Sequence, residues 1–270
     1  MTLKYRTIWI SDVHLGTRGC KAEYLLDFLR HTECEQLYLV GDIIDFWKMK
    51  SGIYWPKLHS EVVNMILKKA SHGTQVTYIP GNHDEIFRQY DGLSIQGITI
   101  QKNAIHNRLD GKRFLVLHGD EFDGIVCNKK WLAYFGSEVY DILLVLNHWF
   151  NYFRRTFGFP YWSLSAYLKK RVKNAVNFIG NFEDVLINEG LKRGVDGIVC
   201  GHIHHAAISK FGESLTYYNC GDWVESCTGL VENRNGQISI VRWVEDSVHL
   251  LNEEVISENR TNKRRLASTD

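Results

Sequence analysis

Compact apolar runs, each closing on a glycine or a polar residue, punctuate this chain. "TIWIS" (7–11) runs into Asp12, "QLYLV" (36–40) into Gly41 and Asp42, and "VTYIP" (76–80) into Gly81, Asn82 and His83. "FLVL" (114–117) runs into His118, Gly119 and Asp120, and "GIVC" (197–200) into Gly201 and His202. Runs of that length bounded by turn residues predict strands. Between the first three, the apolar spacing changes to steps of three and four. Tyr24, Leu25, Phe28 and Leu29 share one face of 21–31, and Val62, Val63, Ile66, Leu67 and Ala70 share one face of 58–71. Both predict amphipathic helices. Strands alternating with helices predict an α/β fold with a largely parallel or mixed sheet, in which ligands bind beyond the carboxyl ends of the strands. Every polar ending above falls at such an end.

The pattern changes after Asp120. Residues 122–190 contain no convincing strand. Trp131, Phe135, Val139, Ile142, Leu146, Trp149 and Phe153 follow helical spacing, "FGFPYW" (157–162) breaks it, and a second helix follows through "SLSAYLKKRVKNAVNFIGNFEDVLINEGL". Strand signals return from about 195 with "AAISKF", "LTYYNC", "TGLVEN" and "ISIVRW". The expected organisation is one discontinuous α/β domain, 1–121 with 191–250, carrying a helical insertion at 122–190. The polar tail, 251–270, is expected to be disordered.

Composition narrows the class. Lys and Arg number 32 against 31 Asp and Glu, a balance that removes the simplest argument for a nucleic-acid partner. The N-terminus carries no signal-peptide core, and no apolar run approaches the roughly 18 residues of a membrane span. A cytoplasmic protein is expected. Six cysteines without a C-x-x-C pair predict reduced, buried thiols.

The polar endings are where the chemistry collects: "DVH" (12–14), "GDIID" (41–45), "GNHD" (81–84), "HGD" (118–120) and "GHIH" (201–204). Asp12 and Asp42 supply carboxylates, Asn82 an amide oxygen, and His14, His118, His202 and His204 imidazoles. The set contains no thiolate, so it suits Mn²⁺, Fe or Zn²⁺. It is too large for one ion and natural for two sharing Asp42. Two divalent cations outweigh two carboxylates, so the site attracts an anionic phosphate, and a shared water is activated for in-line attack. An aspartate in place of Asn82 would weaken that attraction. Each piece alone also fits a polar strand-end turn; five in order do not.

The ordered series resembles the calcineurin-like metallophosphoesterase superfamily over about residues 6–120 and 195–245. The resemblance implies a two-sheet α/β/β/α sandwich with a helical cap and two divalent ions, Mn²⁺ foremost. One ion would be held by Asp12, His14, Asp42 and His204, the other by Asp42, Asn82, His118 and His202. His83 would protonate the leaving group, with Asp84 orienting its ring; Asp45 and Asp120 would support ligands. "ISDVHLG", "LVGDIIDFW" and "CGDWVE" are similar to the UDP-2,3-diacylglucosamine diphosphatases of lipid A synthesis. The implied reaction is cleavage of that lipid-linked nucleotide sugar to a lipid monophosphate and UMP. The alternative is another metallophosphoesterase acting on nucleotides, phosphodiesters or phosphoproteins. His83 departs from the better-studied diphosphatases, which carry arginine there.

The insertion fits an amphiphilic substrate. Its many aromatics, among them Trp131, Phe135, Trp149, Phe150, Phe157 and Trp162, exceed what one helix seam needs. Arg154, Arg155, Lys170, Arg171 and Lys173 add a basic cluster expected to touch substrate or an anionic membrane surface.

Overall fold

The computed structural model describes residues 2–123, 164–212 and 215–247, with the backbone alone for 164–178. The strand-forming runs of the first half build a parallel core: β1 (Leu3–Ile10), β2 (Thr32–Val40) and β3 (Gln75–Ile79). Helix α1 (Ala22–His31) links the first two strands. A short helix α2 (Phe46–Met49) and then α3 (Lys57–Ser71) link the second and third. Beyond β3 lie the two-residue β4 (Ser94–Ile95) and β5 (Ile98–Ile100), β5 parallel to β3 and β4 closing that edge.

A second sheet starts with β6 (Ala104–Asn107), antiparallel to β7 (Arg113–Val116). After helix α4 (Leu164–Arg193) it continues with β8 (Gly197–Cys200), β9 (Ala207–Phe211) and β10 (Leu215–Asn219), in the order β6-β7-β8-β10-β9. The chain then returns to the first sheet through β11 (Thr228–Glu232) and β12 (Ile238–Arg242), giving the order β12-β11-β1-β2-β3-β5-β4. The result is a mixed α/β fold with two sheets. Two compact units divide the chain: Met1–Asp120 with Ile187–Asp270, and Glu121–Leu186.

Period-two alternation explains the layering of the first unit. Ile8 and Ile10 of β1 and Leu37 and Leu39 of β2 join Leu25, Phe28 and Leu29 of α1 and Val62 and Ile66 of α3 in one core. The residues between them, Trp9, Tyr38 and Val40, face Phe114, Val116, Val199 and Tyr218 of the second sheet in another. Both faces of the central strands are therefore buried, which is why they read as continuous apolar runs rather than as alternation. Truncating one of these fully buried side chains, Leu25 for example, costs about 2–5 kcal/mol.

Strand register carries the polar endings to one level. Ile10 pairs with Leu39 and Val40 with Ile79, so the loops opening at Asp12, Gly41 and Gly81 leave the sheet side by side. In the second sheet Val116 pairs with Val199, which levels His118 with Gly201 and His202. Among the described residues no helix is long and apolar enough to cross a membrane. Cys20, Cys200, Cys220 and Cys227 are buried thiols, and Cys34 is a half-buried one.

Candidate metal centre

The loops after β1, β2, β3, β7 and β8 meet at the carboxyl ends of their strands. Asp12, Asp42, Asp45, Asp84, His14, His83 and His118 are buried there. Asn82 and His202 are half-buried, and the His204 side chain is 40% exposed. The backbone carries local strain at this point. Asp12, His14, Asp42, His202 and His204 all take positive φ, between 51° and 71°, a region that costs a non-glycine residue of order 1–3 kcal/mol and clusters at functional sites. Backbone pairing holds the turns in place: Asp12 N donates to Gly41 O at 3.0 Å, and His14 N to Asp42 O at 2.9 Å. Gly41 and Gly81 are glycines for want of room. A Cβ at Gly41 would lie 2.2 Å from His118 Nδ1, and one at Gly81 would lie 2.3 Å from Asp42 Oδ1.

Each carboxylate divides its two oxygens between the backbone and the site. Asp12 Oδ2 accepts from His202 N at 2.9 Å, while Oδ1 faces His204 Nε2 at 3.3 Å. Asp42 Oδ1 accepts from His83 N at 2.8 Å. Asp42 Oδ2 faces three imidazole Nε2 atoms, those of His118 at 3.5 Å and of His14 and His83 at 3.9 Å. The imidazoles are oriented from behind. His118 Nδ1 lies 2.9 Å from the carbonyl of Val40 and donates to it, leaving Nε2 toward Asp42. His14 Nδ1 and His83 Nδ1 lie 3.1 and 2.9 Å from the two oxygens of Asp45. The hydrogen bonds at Nδ1 of His118 and His14 fix the direction of each Nε2.

The charges answer one another. Burial opposes charge on Asp12, yet the imidazoles of His204, His118 and His14 outweigh it and hold the carboxyl well below the usual range. Burial is likewise outweighed at Asp42, which His118 and His14 help lower to about 2. Burial would pull His204 down, but Asp12 lifts it to about 9. His118, despite burial, rises well above an ordinary histidine beside Asp42.

The residues fit a pair of divalent cations. Among the buried atoms without a hydrogen-bond partner, four belong to the expected ligands: Asp12 Oδ1, His14 Nε2, Asn82 Oδ1 and His118 Nε2. Each such orphan costs about 1–3 kcal/mol unless a ligand meets it, and all four are oxygens or imidazole nitrogens of the kind Mn²⁺, Fe and Zn²⁺ accept. Three overlapping sets have ligand atoms within 4.8 Å of one another: Asp12, His14 and His204; Asp12, Asp42 and His118; and His14, Asp45 and His83.

Asp84 differs from expectation. It does not face the His83 ring. Its carboxylate accepts from the amides of Gly81 (2.6 Å), Ile43 (2.8 Å), Asp42 and Ile44 (both 3.3 Å) and from the Tyr78 hydroxyl. A carboxylate that binds four amides of neighbouring turns is a clamp between loops, and Asp45 meets the His83 ring instead. Asp120, half-buried, pairs with Arg88 at 2.6 Å. Arg154 and Arg155 lie outside the described residues, as do the aromatics up to Trp162. Lys170, Arg171 and Lys173 fall on the part of α4 described by its backbone alone.

Sequence reasoning did not find three further residues. Trp47, 41% exposed, lies over His83 with ring centroids 4.4 Å apart; its place two residues after Asp45 was the available signal. Tyr78 reads in sequence as one more strand aromatic, and its hydroxyl on Asp84 has no sequence signature. Asn219 is fully buried, donating to Gly201 O at 2.8 Å and accepting from Gly221 N at 2.9 Å. It thereby holds the turn that bears His202.

The calcineurin-like phosphoesterase family matches residues 5–206, and the chain belongs to that family. UDP-2,3-diacylglucosamine hydrolase of Histophilus somni strain 129Pt is 30% identical over 118 residues, 43% of this chain and 49% of that protein. The match thus spans about half of that relative's length. The protein of the same name from Shewanella sp. strain ANA-3 is 23% identical over 253 residues, 86% of this chain and 95% of that one. Among solved structures, an archaeal phosphodiesterase aligns with a TM-score of 0.41 and 11% identity, over 87% of this chain and 98% of the other.

Proposed function

We propose that the protein is a hydrolase of phosphoric ester or anhydride bonds that works with two divalent cations. Asp12, His14, Asp42 and His204 would hold one, and Asp42, Asn82, His118 and His202 the other. The observation that carries this reading is the position of Asp42. Its Oδ2 lies within 3.9 Å of the Nε2 atoms of both His14 and His118, the arrangement a bridging carboxylate needs. Bound cations would supply an activated water and a positive clamp on the phosphoryl oxygens.

The rest falls to the chain's own side chains. Asp12 and Asp42, each fixed through one oxygen by a backbone amide, keep their remaining oxygens in the site. Asn82, being neutral, leaves the site its positive charge. His83 stands outside the two ligand sets. Burial opposes its proton, but Asp45 and Asp42 raise its pKa above the ordinary value. That direction suits a ring that would give a proton to the oxygen of the departing group. Asp45 holds the ring for that transfer.

The substrate we propose is a lipid-linked nucleotide diphosphate sugar, UDP-2,3-diacylglucosamine, cleaved to a lipid monophosphate and UMP. The names of the Histophilus and Shewanella relatives support this reading, as does the aromatic and basic composition of 122–190. Mn²⁺ is the proposed metal. We further propose that Arg154, Arg155, Lys170, Arg171 and Lys173 contact substrate or an anionic membrane surface, holding a cytoplasmic protein at the membrane face. The test is a substrate panel with the purified, Mn²⁺-loaded chain. Release of UMP from UDP-2,3-diacylglucosamine, absent in Asp42→Asn, is the expected result. Rapid turnover of simple phosphodiesters with none of the lipid substrate would overturn the substrate while leaving the chemistry. Arg154→Glu with Arg155→Glu is expected to weaken binding to anionic vesicles, and unchanged binding would dismiss the membrane contact.

A further inference from the structure

The segment after the Asp42 motif, "FWKMKSGIYWPKLHS" (46–60), carries three lysines and no Asp or Glu. Lys48, Lys50 and Lys57 are exposed. So are three of its apolar side chains, Leu58 at 39%, Trp47 at 41% and Ile53 at 79%. Exposed apolar residues are ordinary when scattered singly. Here they share one short loop with the lysines, and Ile53 is the most exposed large apolar side chain among the described residues. Arg18 adds a cation, its guanidinium 4.7 Å over the Tyr54 ring. The flanking acids leave that charge standing: Asp45 is buried in the metal centre, and Glu61 lies 3.6 Å from Lys57 and 3.3 Å from Arg30.

The base of the loop is fixed to the metal centre. Tyr54 and Trp55 meet the buried His59 edge-on at 5.9 and 5.4 Å, and Trp55 Nε1 donates to Ser60 Oγ at 3.0 Å. His59 Nδ1 accepts from the amide of Gly16 at 3.0 Å, two residues beyond His14, and Trp47 lies over His83 at 4.4 Å. Lysines beside Trp, Tyr and an outward aliphatic side chain suit the headgroup layer of an anionic bilayer. Tyr54 and Trp55 are already engaged, and the most exposed apolar group is aliphatic, which favours lipid over the stacked bases of single-stranded nucleic acid. We propose that residues 46–58 form a membrane-docking loop, inserting Ile53 among the lipids of an anionic surface while Arg18, Lys48, Lys50 and Lys57 meet their phosphates. Docking there would bring the metal centre to the headgroups. It needs neither the 122–190 segment nor hydrolysis, and so stands apart from the contact proposed above.

The test is sedimentation of the full chain with vesicles of phosphatidylcholine, alone or mixed equally with phosphatidylglycerol, combined with hydrogen exchange read peptide by peptide. The expected result is binding to the mixed vesicles that salt weakens, with slower exchange across 46–58 in the bound chain. Ile53→Ser is expected to weaken binding about tenfold, and Lys48→Gln with Lys50→Gln about fivefold per lysine. All three side chains are exposed, and unchanged turnover of bis-p-nitrophenyl phosphate with Mn²⁺ checks that the variants keep the fold. No binding, equal binding to both vesicles, binding without protection of 46–58, or binding that the variants leave intact would overturn the inference. Tighter binding to a single-stranded oligonucleotide, lost in the same variants, would also overturn it and give the loop to nucleic acid. A chain that docks as expected but hydrolyses nothing would uphold the docking loop and dismiss the hydrolase reading instead.

Discussion

Asp42 shows how much one residue can be asked to do. Its Oδ1 is tied to the amide of His83 and its Oδ2 faces both histidine sets, so Asp42→Asn keeps the tie but removes the negative charge between them. Hydrolysis of bis-p-nitrophenyl phosphate with Mn²⁺ is expected to fall more than about a hundredfold, with the circular dichroism spectrum retained. Asp45 and Asp84 separate two kinds of support. Asp45→Asn, which loosens His14 and His83 together, is expected to lower activity about 10–100-fold with little change in unfolding free energy. Asp84→Asn presents an amide to backbone donors and is expected to cost about 2 kcal/mol in urea unfolding. Without cations, protons take their place: His204 is raised to about 9 beside Asp12, so at pH 7 it is charged. Loading with Mn²⁺ at pH 7 is therefore expected to release protons, and apparent metal affinity to rise with pH up to about 9. Titration in buffers of different ionisation enthalpy measures the release. The residues that gather at the candidate centre were legible because polar side chains at successive strand ends have no packing reason to be there. The exchange of duties between Asp45 and Asp84 was not, since which carboxylate meets which ring depends on side-chain direction across two turns.

At the scale of elements, the long strands and both crossover helices follow from apolar spacing, and their limits match within a few residues. The elements that spacing did not reveal are the short ones. β4 and β5 hold two and three residues around Gln96 and Gly97, both at positive φ, too few for any period to register. α2 is a single turn whose start is fixed by Asp45, which accepts from Lys48 N at 2.8 Å. The crowding of loops around Asp42 gives an element-scale prediction. In Gly81→Ala the new methyl would fall 2.3 Å from Asp42 Oδ1 and 2.7 Å from His118. The loop must shift, so stability is expected to drop by about 1–3 kcal/mol, with hydrolytic activity falling alongside; thermal melts and rate assays check both.

Across the whole molecule, the two sheets are also joined by charge. Glu232 of β11 is fully buried, 2.6 Å from Arg6 of β1 and 3.1 Å from His106 of β6, and His106 packs edge-on against Trp9 at 4.9 Å. Burial would raise the Glu232 carboxyl, but His106, Arg6 and Thr7 outweigh it and hold it below its ordinary value. A lowered carboxylate contributes stability that is full above its unfolded pKa and is lost as pH falls through the folded one. Glu232→Gln is therefore expected to be less stable at neutral pH, and its stability to fall less steeply into acid. Denaturant titrations across that range measure both. The same union of sheets assembles the centre, since Asp12, His14, Asp42 and Asn82 come from the first sheet and His118, His202 and His204 from the second. The most direct test is anomalous diffraction from a manganese-soaked crystal. Two peaks about 3.5–4 Å apart with the Asp42 carboxylate between them are the expected result; a single peak, or two that Asp42 does not bridge, would contradict the account.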